Sequence, residues 1–382
     1  MDWKSRNFNA YLSYSLSFVM SLLNGMLTPI IPLLGLSMGA SQIELGLLGS
    51  AAYLIYIPLS SATGRLSDRL GRKSLIVASG LVYAVACIFY YMSSSPIQLI
   101  GARVVDGLAM ALLWPAAEAL LAESVALEPR EMVSDFGVSW SFGAAIGALI
   151  SSWVIGARRY SDAFLPASLV SSAFSIVALS TVSVKRANPG LEGQEVLERN
   201  ARTPLQLKSV WMTAFLYAFC QGIVFALYPP YAELRGVSGL VIGLAVTSLM
   251  TGRTLVFLMF RKISVGFNVL AMAGSGLMGL AALPLAFVID AWTILLSSLI
   301  FGLGAGLAYS ASIQAALSVD STRRGTYAGF FEGSIGAGYL FGPVIGGPIA
   351  QFVLQGPYVV CSVASLAAFV GIVRSRSKSS PI

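Results

Sequence analysis

Apolar runs of roughly twenty residues, the length a helix needs to cross a hydrocarbon core, recur from one end of the chain to the other. They predict helical spans at 8–34, 44–63, 74–93, 97–122, 133–156 and 164–184. A second set follows at 209–232, 240–260, 268–289, 292–318, 325–352 and 358–373. Short polar segments separate the runs. Strands of a membrane barrel would be shorter and would alternate apolar with polar positions, and no such alternation is seen. The longest polar stretch, Lys185 to Lys208, lies halfway along and reads as a linker between two six-helix halves, 1–184 and 209–382.

Composition agrees with a bilayer as the solvent. Of 382 residues, 56% are hydrophobic and only 11% charged, against roughly 25% charged in a soluble domain. The frequent Gly, Ala and Ser residues suit helices that pack closely in lipid. The first apolar run is too long for the hydrophobic core of a signal peptide, so it is read as the first span. Lys and Arg set the expected orientation through the positive-inside rule. With the N-terminus in the cytoplasm, nineteen of the 24 fall in cytoplasmic segments, and only Arg158, Arg159 and Arg235 fall outside. Both termini are therefore expected inside the cell membrane. The +7 net charge is scattered between apolar runs, which argues against a nucleic-acid face.

The chain has no histidine, and its three cysteines, Cys87, Cys220 and Cys361, sit apart in apolar runs. No metal site, disulfide framework or imidazole base is expected. The phosphate-binding pattern G-x-x-x-x-G-K-[ST] is also missing, so neither a nucleotide nor any other cofactor is expected.

The two halves repeat. At an offset of 197, Gly25 meets Gly222, Pro32 meets Pro229, Gly39 meets Gly236, Ser41 meets Ser238, Gly46 meets Gly243 and Leu47 meets Leu244. Asn24 meets the amide Gln221. At an offset of 195, GLAMALLWPAA from Gly107 matches GLGAGLAYSAS from Gly302 in its small residues, with Trp114 against Tyr309. A parallel repeat of this kind is common in transporters, which place their substrate near the midplane where the repeats meet.

Between the second and third spans stands GRLSDRLGRKS, from Gly64 to Ser74. It resembles the signature loop of the major facilitator superfamily, G-x-L-x-D-R-x-G-R-K, at Gly64, Leu66, Asp68, Arg69, Gly71, Arg72 and Lys73. The resemblance covers essentially the whole chain and is nearest to the drug:proton antiporter branch. It implies an all-α membrane fold of twelve helices in two pseudo-symmetric bundles. It also implies a gating loop that latches the halves together when the transporter faces outward. The second half's loop, RKISVGFN from Arg261, lacks the aspartate, so no strong latch is expected there. Arg103, Asp106 and Gly107 match the family's R-x-x-x-G pattern, frequent in proton-coupled members. The antiporter signature G-x-x-x-G-P-x-x-G-G, usual on the fifth helix, stands intact on the eleventh at Gly338, Gly342, Pro343, Gly346 and Gly347. The fifth helix keeps only Gly143 and Gly147. Close helix packing is the expected use of all these glycines.

Ionisable groups inside spans are costly and invite a functional reading. Arg103 and Asp106, three apart on one helix face, form either a proton-linked pair or a permanent structural one. Glu118 is read either as a proton or cation site or as the partner of a cytoplasmic arginine. Arg253 and Glu332 are expected to pair across helices, with Glu332 a further proton-coupling candidate. Asn24, Trp114, Gln221, Arg253, Tyr309 and Gln314 are the substrate-cavity candidates, with Tyr53, Tyr56 and Tyr217 beside them. The family places helices 1, 4, 7 and 10 around that cavity. The expected activity is secondary transport of a small organic solute through the lipid bilayer, coupled to protons and working as efflux by antiport. The alternative is uptake of a sugar or organic acid by symport. A monomer is the expected unit. Short loops without histidine leave little room for an enzyme.

Overall fold

The computed structural model describes residues 3–124, 129–181, 207–263, 265–317 and 324–378. The described residues fold into twelve long helices. In the first half these are α1 (Trp3–Ser37), α2 (Gln42–Leu70), α3 (Arg72–Met92), α4 (Pro96–Ser124), α5 (Pro129–Gly156) and α6 (Phe164–Thr181). In the second they are α7 (Lys208–Leu234), α8 (Gly239–Phe260), α9 (Phe267–Phe287), α10 (Ala291–Leu317), α11 (Arg324–Phe352) and α12 (Gly356–Lys378). Eleven are long and apolar enough to cross a membrane. The twelfth, α11, has 29 residues and is therefore long enough, but its polar and glycine-rich sequence makes it less apolar.

Packing repeats with a step of six helices. Within the first half α1 lies on α5, α2 and α3 lie on α4, and α3 lies on α6. Within the second, α7 lies on α11, α8 and α9 lie on α10, and α9 lies on α12. The halves meet along α2 with α11 and along α5 with α8, and those two contacts exchange under the same step. The expected fold of two pseudo-symmetric six-helix bundles is thus observed. Most of the stretch expected as a linker, Lys185 to Lys208, lies outside the described residues.

Several repeat identities prove to be turn chemistry. Gly39 and Gly236 both hold φ near +80°, at +84° and +79°, a conformation that glycine adopts without a side-chain clash. Each ends a helix, after α1 and α7 respectively. Two residues on, Ser41 and Ser238 cap the next helix, accepting hydrogen bonds from the backbone N–H of Glu44 at 3.2 Å and Val241 at 3.4 Å. Glu44 returns the favour by accepting from the Ser41 N–H at 2.8 Å. Side-chain oxygens there satisfy donors that a helix start leaves free.

The apolar runs understate some helices. The run at 44–63 becomes a helix that continues to Leu70, and only Gly71, at φ +87°, separates it from α3. Most of GRLSDRLGRKS is therefore helical, because charge interrupts an apolar run without interrupting backbone hydrogen bonding.

Candidate functional site

A cavity of about 190 Å³ lies where the halves meet. Its walls come from α1, α2, α4 and α5 on one side and from α7, α8, α10 and α11 on the other, with nothing from α3, α6, α9 or α12. Helices 1, 4, 7 and 10 do contribute, and the interface helices 2, 5, 8 and 11 contribute as well.

Glycines let these helices approach. A side chain at Gly143 or Gly147 of α5 would strike the α1 backbone at Phe18 or Leu22. One at Gly338 or Gly342 of α11 would strike the α7 backbone at Phe215 or Phe219. The glycines recur at an offset of 195 and their partners at 197. The glycine pattern on α11 thus sits where the repeat carries α5. Gly346 packs on Ile223 and Leu227 of α7, and Gly347 lies against Gln42 and Gly46 of α2. Pro343 fills the space beside Gly46, Gly49 and Gly222.

Charge enters the cavity from four points. Arg103 on α4 reaches the wall and forms an ion pair with Asp106 one turn on. Asp106 is 1% exposed and also accepts a hydrogen bond from Tyr90 of α3 at 3.0 Å. Glu118 lies on the same helix, fifteen residues beyond Arg103 or about 22 Å along the axis. It faces the cavity, and no cation pairs with it among the described residues. Glu332 of α11 faces the same cavity and accepts a hydrogen bond from Tyr56 of α2 at 3.0 Å. The two carboxylates come from opposite halves and line the same cavity. Arg253 of α8 is the fourth.

The expected pair of Arg253 with Glu332 is not formed. Arg253 donates to Ser141 at 3.2 Å and to Tyr217 at 3.5 Å, and its guanidinium lies 4.2 Å from the Trp140 ring centre. Glu332 has taken a tyrosine instead. The arginine partner considered for Glu118 is likewise not found among the described residues.

Aromatic rings complete the walls. Tyr53 stacks on Tyr339 at 4.7 Å and 8°, which joins α2 to α11. Tyr217 bonds to the Tyr339 hydroxyl at 3.2 Å and meets Tyr309 edge-on. Tyr309 also meets Trp140. Asn24 and Trp114 line the cavity as expected. Gln221 does not. It is 0% exposed, and both its amide atoms are without hydrogen-bond partners among the described residues. Gln314 is also outside the lining, and it has partners elsewhere. The sequence reading passed over Trp140 and Tyr339. Tyr339 stands inside the glycine pattern of α11, next to Gly338, and lies between Tyr217 of α7 and Tyr53 of α2.

Of the gating loop, the side chains of Arg65, Asp68 and Arg69 lie outside the described residues. Arg72 donates to Ser67 at 3.0 Å, which fastens the start of α3 to the end of α2. In the second half, Arg261 just beyond α8 pairs with Asp135 of α5 at 2.6 Å. This bridge joins the halves where no strong latch was expected. The aspartate is supplied by the other half and not by the loop itself.

Twelve helices in two like bundles around one central cavity define a membrane transporter. The Major Facilitator Superfamily model matches residues 14–321, and the chain belongs to that family. It is 22% identical over 376 residues, 95% of both chains, to the quinolone resistance protein NorA of Staphylococcus aureus strain COL. It is 27% identical over 130 residues to a probable 4-methylmuconolactone transporter of Cupriavidus pinatubonensis. That match spans 33% of this chain and 30% of the other. The fold is similar to that of the nucleoside transporter NupG, with a TM-score of 0.75 at 14% identity over 96% of this chain and 98% of that one. It is also similar to that of the human organic anion transporter MFSD10, with a TM-score of 0.69 at 16% identity over 95% and 99% of the two chains.

Proposed function

We propose that this chain moves a small organic solute across the cell membrane by alternating access, driven by protons that Glu118 and Glu332 carry. One observation carries the reading: two carboxylates from opposite halves line one cavity, and among the described residues neither is paired with a cation. Low dielectric disfavours two neighbouring negative charges, so the pair holds a proton until solute or a change of state displaces it. Arg103 and Tyr90 both engage Asp106 through one carboxylate oxygen, Oδ2, while Oδ1 is buried without a hydrogen-bond partner among the described residues; the standing ion pair supports a structural role for them. The halves 1–184 and 209–382 rock about the cavity, joined by the linker 185–208. The distribution of Lys and Arg supports cytoplasmic termini, and a cavity contained in one chain supports a monomer as the working unit. By family resemblance, Gly64, Asp68, Arg69, Gly71, Arg72 and Lys73 act in gating.

Efflux by proton antiport is the first mode. The likeness to a quinolone resistance protein along nearly the whole chain supports it. Uptake of a sugar or organic acid by symport is the second, and Arg253, which has no acidic partner among the described residues, favours an organic acid.

The test is proton movement in proteoliposomes over cationic, neutral and anionic solutes. Solute-dependent proton flux is expected, with at least about a tenfold loss in Glu118→Gln or Glu332→Gln. Transport without proton movement would sink the coupling. Unchanged flux in Asp68→Asn would count against the gating role.

A further inference from the structure

Among the described residues, Arg253 is a buried cation whose direct contacts are all neutral. It is 3% exposed, on a helix that crosses the membrane, and it lines the central cavity. Its contacts are the Ser141 hydroxyl, the Tyr217 hydroxyl, the Met250 sulfur at 2.9 Å and the face of Trp140. No carboxylate lies within ion-pair distance among the described residues. Arg103 differs, because Asp106 already neutralises it.

An unpaired charge in such a place is costly, and an arginine stays ionised. The guanidinium has five N–H donors. Three are engaged by the contacts above, which leaves two, the number that a carboxylate takes in a forked pair. Around it stand flat rings: Trp140 beneath the guanidinium, Tyr217 beside it, then Tyr309, Tyr339 and Tyr53. They offer faces and edges to a planar body.

We propose that Arg253 is the docking point for the anionic group of the solute, and that the solute is a small planar aromatic carboxylate. The carboxylate takes the two free N–H groups and leaves the other contacts of Arg253 in place. The ring lies against Trp140 and the tyrosines. This rests on the central cavity being the solute's path, as proposed above, and on the second of the two modes, symport of an organic acid.

The experiment compares three probes on one scaffold: 2-naphthoate, 2-naphthylmethanol and 2-naphthylmethylammonium. Binding to the purified full-length protein is measured by calorimetry. Naphthoate is expected to bind at least about tenfold tighter than the alcohol, as a charge-assisted forked pair implies, with the ammonium weakest. Arg253→Met should erase that preference, and Arg253→Lys should keep part of it. Three results would each overturn the proposal. One is binding of the alcohol or ammonium equal to or tighter than naphthoate. Another is an unchanged preference in Arg253→Met. The last is no binding of any probe. Arg253 also contacts α5, so thermal unfolding checks that the methionine variant is folded; if it is not, the wild-type series and the lysine variant decide. Flux of the same probes in proteoliposomes separates the two claims. Naphthoate binding without flux keeps the site and rejects the transport path, while flux indifferent to probe charge does the reverse.

Discussion

At the scale of single residues, neutrality decides which charges are structural. Asp106 is buried and shared between Arg103 and Tyr90, so removing either charge leaves the other stranded. Breaking a buried pair in this way costs roughly 3–5 kcal/mol. Asp106→Asn and Arg103→Gln should each lower the thermal midpoint of the detergent-solubilised protein clearly. The double variant should recover much of the loss, because no unpaired charge remains. Equal losses in all three would mean that the pair matters for something besides charge balance. Glu332 answers differently. Among the described residues its carboxylate accepts one hydrogen bond, from Tyr56, so Tyr56→Phe should leave folding nearly intact and change proton coupling. Glu332→Gln should leave the thermal midpoint unchanged or raise it, since a carboxylate without a cation is exchanged for a neutral amide.

Between helices, the deciding quantity is how near two backbones come. Gly342 allows α11 to touch the α7 backbone at Phe219, and a methyl there has no room. Gly342→Ala should destabilise by roughly 1–3 kcal/mol, the cost of overpacking. Gly333, on the same helix, has no heavy atom within 4 Å of where a side chain would begin. Gly333→Ala should therefore be neutral or gain about 0.5–1 kcal/mol from helix propensity. Thermal unfolding of the two variants tests this, and similar losses would refute the packing role. The Asp135–Arg261 bridge is half exposed, so its worth is roughly 0.2–1 kcal/mol. That is too small to matter for folding, yet it is enough to shift a balance between two conformations up to about fivefold. Labelling of Asn24→Cys in the cavity reads that balance, the native cysteines all being buried. Asp135→Asn should change the labelling rate, and the swap Asp135→Arg with Arg261→Asp should restore it. Spans, repeat and turns were legible in the sequence because each is local: an apolar run, a glycine before a serine cap, a proline in register. Arg253 and Glu332 were paired wrongly because the partner of a buried charge is chosen by side chains from other helices. Gln221 misled for a related reason. It aligns with Asn24 in the repeat, but it is fully buried and outside the cavity lining, where its counterpart stands.

For the molecule as a whole, the sign of the solute's charge fixes the direction of coupling. An anion seated on Arg253 joins a cavity that already holds Glu118 and Glu332. Like charges repel, so its arrival favours a proton on the carboxylates, and solute and proton then cross together. A cation drawn to Glu118 and Glu332 displaces the proton, and the two cross in opposite senses. Arg103 and Asp106 cancel each other and leave this balance to Arg253 and the two glutamates. Mixing purified protein with 2-naphthoate in weak buffer should therefore take up protons, read by a pH indicator. The uptake should vanish in the variant carrying both Glu118→Gln and Glu332→Gln. Proton release on adding 2-naphthylmethylammonium, with no response to naphthoate, would instead establish the antiport mode and leave Arg253 as a strut between α5 and α8.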